Sequence, residues 1–257
     1  MAEVWYAENK IGNSAAVKIL LPELCRNNNI VERFLTEAKT MVALNHPNIR
    51  KVYDYGDIDG CPAIVMEYLD GDDLKTRMKH GERFTDEELV KWWNQLVDAM
   101  KYTHSKGIVH RDIKPGNIFA DKEGNIRLLD FGMSKSLDED SDAMLTMQRT
   151  GLGTPGYMSP EQYLEAKDVD FRSDLFSVGA TMYYTLTGEK PFKSETFVDA
   201  YQETVNNTPP PKSELTPYCS EECAELITHL MEKNPLERPN SYEEVLERIQ
   251  ALMKRLE

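Results

Sequence analysis

The sequence predicts an α+β, bilobal fold: a small sheet-rich part up to about residue 68, then a larger helical part. Three observations predict it. Before Tyr68, β-branched and aromatic runs alternate with turn residues around a single helical segment. Beyond Asp70-Gly71, apolar residues recur mainly at helical spacing. Residues 110–130 break that helical part with a loop and a hairpin that crowd together carboxylates, a lysine and a carboxamide.

Residues 4–7 and 15–20 are β-rich runs joined by the polar stretch 8–14, a hairpin pattern. Residues 32–39 are helical and stop at Asn45-His46-Pro47. Residues 49–57 and 61–68 read as two further strands around the Asp59-Gly60 turn. Thr85-Asp86-Glu87-Glu88 is a capping box. It opens a helix whose Leu89, Trp92, Trp93, Leu96 and Met100 share one face and read as core. Ile108-Val109 leads into the loop, and residues 117–120 and 126–129 are strand-like runs joined by turn chemistry at 121–125. Residues 133–158 are polar and rich in hydroxyls. Residues 175–186 are apolar nearly all round, which marks a buried helix ended by Gly188, with Asp174 an awkward charge at its start. Four prolines make residues 206–217 a long loop, and a second capping box, Ser241 with Glu244, opens the last amphipathic helix.

The hairpin brings Asn117, at the start of one strand, close to Asp130, at the end of the other. Residues 110–117 read His-Arg-Asp-Ile-Lys-Pro-Gly-Asn, and Asp130 opens Asp-Phe-Gly. This set suits phosphoryl transfer from a magnesium nucleotide to a hydroxyl. Asp112 accepts the hydroxyl proton, Lys114 neutralises the moving phosphoryl, and Asn117 and Asp130 offer hard oxygen ligands for Mg²⁺. Asp-Phe-Gly alone carries little weight; the ordered pair of motifs carries the assignment.

The eight-residue loop resembles the catalytic loop of eukaryotic-type protein kinases, and Asp-Phe-Gly resembles their metal-binding loop. Lys114 followed by Pro-Gly-Asn resembles the Ser/Thr-directed form. The resemblance implies that Lys18, in Ala-Val-Lys, pairs with the nucleotide phosphates and that Glu37 holds it in place. It implies an adenine pocket with Met66 at the back, backbone groups of Glu67 and Leu69 at the adenine edge, Asp73 near the ribose, and Ala16 and Phe119 over the two faces. It makes residues 133–161, ending in Ser159-Pro160-Glu161, an activation segment. Thr146 and Thr150 are its candidate phosphosites, with Arg111 and Lys135 to catch the phosphate. Thr154 holds the acceptor hydroxyl near Asp112, Asp174 bonds the backbone of the catalytic loop, and Arg238 pairs with Glu161.

The resemblance covers nearly the whole chain except its beginning. Val4 fits the final valine of the family's glycine-rich loop and Ala2 the third glycine position, while the first strand and two glycines are absent. Met-Ala-Glu-Val resembles the tail of a stretch found in bacterial kinases of this type. Either Met1 is an internal methionine of a longer protein, or the chain is a truncation acting as a non-catalytic scaffold. The intact Lys18, Glu37, Asp112, Asn117 and Asp130 favour the first.

Bulk properties fit. At 257 residues the chain can bury a real core, and 40% hydrophobic content with mixed charge places it among soluble globular proteins. No run approaches the roughly 18 apolar residues of a membrane span, and the first residues do not read as a secretory signal. Cys25, Cys61, Cys219 and Cys223 are too few and scattered for a disulfide scaffold. Cys219 and Cys223 lack a second ligand pair, so zinc is not expected, and a reducing cytoplasm is the expected home. A net charge of −14 argues against nucleic acid. An acidic surface suits basic peptides, or serves solubility alone. The expected organisation is one kinase domain, with residues 1–68 binding nucleotide and residues 69–257 carrying the catalytic loop and substrate site. The expected function is ATP- and Mg²⁺-dependent phosphorylation of serine or threonine in proteins, with autophosphorylation. The alternatives are a pseudokinase scaffold and, less favoured, a small-molecule kinase.

Overall fold

The computed structural model describes residues 2–131, 154–164, 169–194 and 196–256. Thr146, Thr150, Lys135 and most of the 133–161 segment therefore lie outside the described residues.

The small lobe is an antiparallel sheet in the order β1-β2-β4-β3, with β1 at Ala2–Glu8, β2 at Ser14–Leu20, β3 at Val52–Ile58 and β4 at Cys61–Glu67. The β1–β2 turn closes because the Asn9 side chain accepts from Ile11 and Asn13 N–H groups, with Gly12 at φ 86°. Helix α1, Asn28–Val42, starts earlier than its apolar pattern suggests. Asn27 accepts from the Asn29 and Ile30 amides, so the asparagine run is a cap rather than a loop. Phe34, Ala38 and Met41 bury the face of α1 that meets the core.

The strand expected from residue 49 begins only at Val52. Residues 48–50 pair instead with the catalytic hairpin: Leu128 donates to Asn48 O at 2.8 Å and Arg50 donates to Leu128 O at 2.9 Å. That short parallel bridge ties the lobes together.

In the helical lobe, α2 spans Leu74–Lys79 and α3 spans Asp86–Ser105. Both halves of the Thr85–Glu88 capping box form, and the predicted apolar face of α3 is buried. The hairpin strands β5, Ile118–Ala120, and β6, Ile126–Leu128, follow. Then come α4, Pro160–Leu164, and α5, Phe171–Thr187. Helix α5 is buried on nearly every side, and Gly188 caps it in the left-handed region at φ 80°. Gly179 lets α8, Glu221–Leu230, approach α5 closely, since a Cβ there would lie 2.8 Å from Leu230 Cβ. Helix α6 is Phe197–Asn206, and the proline-rich stretch holds a four-residue turn of helix, α7, Lys212–Leu215. The last helix, α9, Tyr242–Leu256, packs on α3. Its capping box is only half formed: Ser241 Oγ accepts from Glu244 N, but the Glu244 carboxylate bonds the Asn240 amide. No helix among the described residues is long and apolar enough to cross a membrane.

One buried ion pair clamps α4 to the rest of this lobe. Arg238, 1% exposed, makes a bidentate contact with Glu161 at 2.6 and 2.9 Å. Its remaining donors reach the carbonyls of Arg172, Glu232 and Lys233. Burial alone would push the Glu161 carboxyl up, but Arg238's bonds and charge, with Ser173, hold it below its ordinary value. Glu161→Gln leaves the guanidinium buried and unpaired, and urea unfolding should show a loss of roughly 3–5 kcal/mol at neutral pH. A depressed carboxyl stabilises only while ionised, so the gap between wild type and variant should narrow as pH falls below the ordinary glutamate value.

Candidate active site

Four elements deliver the chemistry. Strand β2 presents Lys18, whose Nζ lies 2.9 Å from Glu37 Oε1 on α1 and 3.5 Å from Asp130 Oδ2. Burial works against the ammonium, yet the charges of Asp130 and Glu37 outweigh it and raise the Lys18 pKa. Glu37 is pushed up by its own burial, against the pull of Lys18. The result is a charged lysine aimed between two carboxylates from different elements.

The hairpin sets the spacing of Asn117 and Asp130. Its turn is an Asx turn in which Asp121 accepts from the Glu123 and Asn125 amides. Leu129 N–H donates to Asn117 O at 2.9 Å, which places Asp130 one residue from that contact. Asn117 sits in a single 3₁₀ turn, Pro115–Asn117, rather than at a strand start. Its Nδ2 group donates to the Asp112 carbonyl at 2.8 Å and to Asp112 Oδ2 at 3.0 Å. That leaves its amide oxygen as the atom able to ligate a cation.

Asp112 is the centre of a tight polar cluster. Lys114 Nζ donates to Asp112 Oδ2 at 2.6 Å and to Thr154 Oγ1 at 2.6 Å, and Thr154 donates to Asp112 Oδ1 at 3.2 Å. The loop backbone is held from below by Asp174, in the first turn of α5, which accepts from His110 N and Arg111 N at 2.8 Å each. Arg111 has φ 67°, a strained value for a side chain of its size, and these two bonds hold it there. Gln162 donates to the Arg111 carbonyl, a support the sequence did not reveal because a helical glutamine carries no positional signal. The Arg111 guanidinium reaches Val169 O at 3.5 Å. His110 packs on Phe131 with ring centroids 4.5 Å apart, and its Nδ1 accepts from Asp112 N, which assigns the proton to Nε2.

Of the residues expected around adenine, Val4, Ala16 and Met66 share one face of the sheet. Ala16 and Met66 are buried cross-strand partners, and Val4, mostly exposed, lies opposite Lys18 in the β1–β2 register. Phe119 is buried against Gly71, where a Cβ would stand 3.0 Å from its ring. Leu69 makes no hydrogen bond within the described residues, so both its backbone groups are free for a ligand. Glu67 differs: its N–H donates to Lys51 O and its carbonyl accepts from Arg50 Nε, which leaves only the carbonyl's second lone pair. Asp73 caps α2, with both carboxylate oxygens taken by the Thr76 amide and hydroxyl. Among the described residues no cluster of three or more His, Cys, Asp or Glu side chains suits a metal. Asn117 and Asp130 still fit magnesium, which typically takes one or two carboxylates and completes its shell with phosphates and water.

The protein kinase domain family model matches residues 2–249. A probable serine/threonine-protein kinase of Streptomyces coelicolor is 35% identical over 98% of this chain. The probable serine/threonine-protein kinase PknB of Bifidobacterium longum is 37% identical over 83% of it. The serine/threonine-protein kinase PknA of Mycobacterium tuberculosis is 34% identical over 94% of it. The chain spans 38%, 32% and 56% of those relatives' lengths.

The two buried titratable groups beneath the loop act in opposite directions with pH. Burial lowers His110 to about 4 from 6.5, so the folded state binds fewer protons and loses stability as pH falls through that window. Burial raises Asp174 to about 7 from 3.8, so the folded state binds more protons and loses stability as pH rises through its window. Where the windows overlap the slopes cancel. In His110→Phe only the Asp174 limb remains, and urea unfolding at stepped pH should show stability falling, relative to wild type, as pH rises from about 4 to 6.5. Parallel pH profiles for the two proteins would contradict this.

Proposed function

The chain belongs to the protein kinase family, and from that premise we propose that it transfers the γ-phosphoryl group of Mg·ATP to serine and threonine hydroxyls of proteins, itself included. The observation that carries this reading is the Asp112 cluster. One carboxylate is held by Lys114 and Asn117 while its second oxygen faces the Thr154 hydroxyl. Asp112 takes the acceptor proton, Lys114 steadies charge on the transferring group, and Thr154 keeps the acceptor hydroxyl in register. The Asn117 amide oxygen and Asp130 would hold magnesium, which would supply charge neutralisation at the phosphates. Lys18, braced by Glu37, grips the same phosphates from the sheet.

Val4, Ala16, Met66 and Phe119 enclose the adenine, and the Leu69 backbone reads its edge. On this division residues 1–68 bind the nucleotide and residues 69–257 carry catalysis and the protein substrate. The closed Lys18–Glu37 pair and the assembled Asp112 cluster support catalysis over a purely scaffolding role. The relatives' names support Ser/Thr specificity. Four free thiols suit a reducing cytoplasm.

The test is radiolabelled phosphate transfer from Mg·ATP to the chain itself and to acidic and basic carrier proteins. Asp112→Asn should cut incorporation at least about 100-fold, since a positioned base contributes on that order. Equal background signal from both proteins would sink the catalytic reading.

A further inference from the structure

Cations flank the catalytic loop that the chemistry above leaves unused. Lys75, in the first turn of α2, lays its side chain along the loop, so that a Cβ added at Gly116 would stand 3.7 Å from Lys75 Cδ. On the other side, Lys190 donates to the Pro155 carbonyl at 3.2 Å, and a Cβ at Gly156 would meet its Cδ at 3.0 Å. Pro155 follows Thr154, whose hydroxyl touches both Asp112 and Lys114. The two lysines are near enough to interact: burial first, and then the charge of Lys75, lowers the Lys190 pKa. Arg83 continues the row, its guanidinium 3.4 Å from where a Cβ at Gly188 would lie.

Among the described residues no carboxylate forms an ion pair with Lys75, Arg83 or Lys190. Three of the neighbouring acids have other partners. Asp73 is held by Thr76, Glu82 pairs with Arg77 at 2.6 Å, and Glu189 pairs with Lys193 at 2.6 Å. In a chain of net charge −14, these cations stand near the catalytic loop without an ion-pair partner, with the Asp73 carboxylate the acid that shares the Gly116 surface with Lys75. Lys190 supports the Pro155 carbonyl, but Lys75 is exposed and makes no hydrogen bond or ion pair within the described chain.

We infer that Lys75 and Lys190, with Arg83 beyond them, select protein substrates whose acceptor serine or threonine is flanked by acidic side chains. The inference deepens the kinase reading and rests on it. Once Asp112 and Thr154 fix the acceptor hydroxyl, flanking residues of an extended peptide run past both lysines. Lys190 is partly buried and, among the described residues, has a carbonyl and the Tyr157 ring but no carboxylate beside it, so a substrate carboxylate meets a cation already stripped of part of its water. The chain's overall negative charge opposes an acidic substrate at long range. Salt at physiological strength screens that repulsion more than it weakens a partly buried contact.

The experiment compares kcat/KM for three peptides that carry one serine between flanks of alanine, aspartate or arginine. The aspartate peptide should exceed the alanine peptide at least about fivefold, mainly through KM, as expected for one or two modest ion pairs. Lys75→Glu should bring that ratio to one or below, and Lys75→Arg should keep it. Because the ratio is internal to each protein, a general loss of activity does not move it. Wild-type preference for the alanine or arginine peptide, or a ratio unchanged in Lys75→Glu, would overturn this inference alone. No transfer to any peptide would overturn the kinase reading and this inference with it.

Discussion

Asp174 accepts two backbone amides, one on each carboxyl oxygen, and much of the molecule is arranged so that it can. The carboxylate lies at the N-terminal turn of a helix buried on nearly all sides, where water cannot serve the His110 and Arg111 N–H groups. Those two bonds hold Arg111 in a left-handed conformation and so turn the chain back toward Asp112. An asparagine has one acceptor oxygen where two are needed. The requirement is for a carboxylate, and that is why a costly group survives in a core otherwise built of Leu175, Phe176, Val178 and Met182.

Other buried polar contacts serve the same end. Arg238 holds Glu161 on α4, Ser173 on α5 bonds the same carboxylate, and the neighbouring Gln162 donates to the Arg111 carbonyl. Ser177 donates to Tyr157 O, which secures the backbone just after Thr154. The helical lobe thus supports the loop from one side with a connected set of hydrogen-bonded polar groups, while His110 Nε2 and Arg111 Nε of the loop itself are buried without a hydrogen-bond partner among the described residues. Such sets are stiff because each member left unpaired would carry the full penalty of its burial.

The sheet reaches the same loop by a different route. Residues 48–50 pair with β6, and Lys18 reaches Asp130 just beyond that strand. The short hairpin is therefore the joint of the structure: one strand follows the loop that bears Asp112, and the other leads to Asp130. A change in how the sheet sits on the helical lobe would alter the Lys18–Asp130 distance directly.

Much of this was legible in the residues. The Thr85–Glu88 cap, the face holding Trp92, Trp93 and Met100, and the hairpin that brings Asn117 near Asp130 follow from local periodicity and turn chemistry. These are short-range effects that a sequence carries intact. The Lys18–Glu37 and Arg238–Glu161 pairings were expected only by likeness to known kinases, since nothing local links residues so far apart in the chain. Tertiary structure alone decided the rest. Residues 48–50 left the sheet because Leu128 offered their backbone partners, Asp73 and the Glu67 backbone took protein partners, and Lys75 on α2 and Lys190 in the loop after α5 came to flank one loop. Local propensity determines which elements form. Which backbone groups and charges remain unspent is settled only when those elements pack, because satisfaction is a property of neighbours in space.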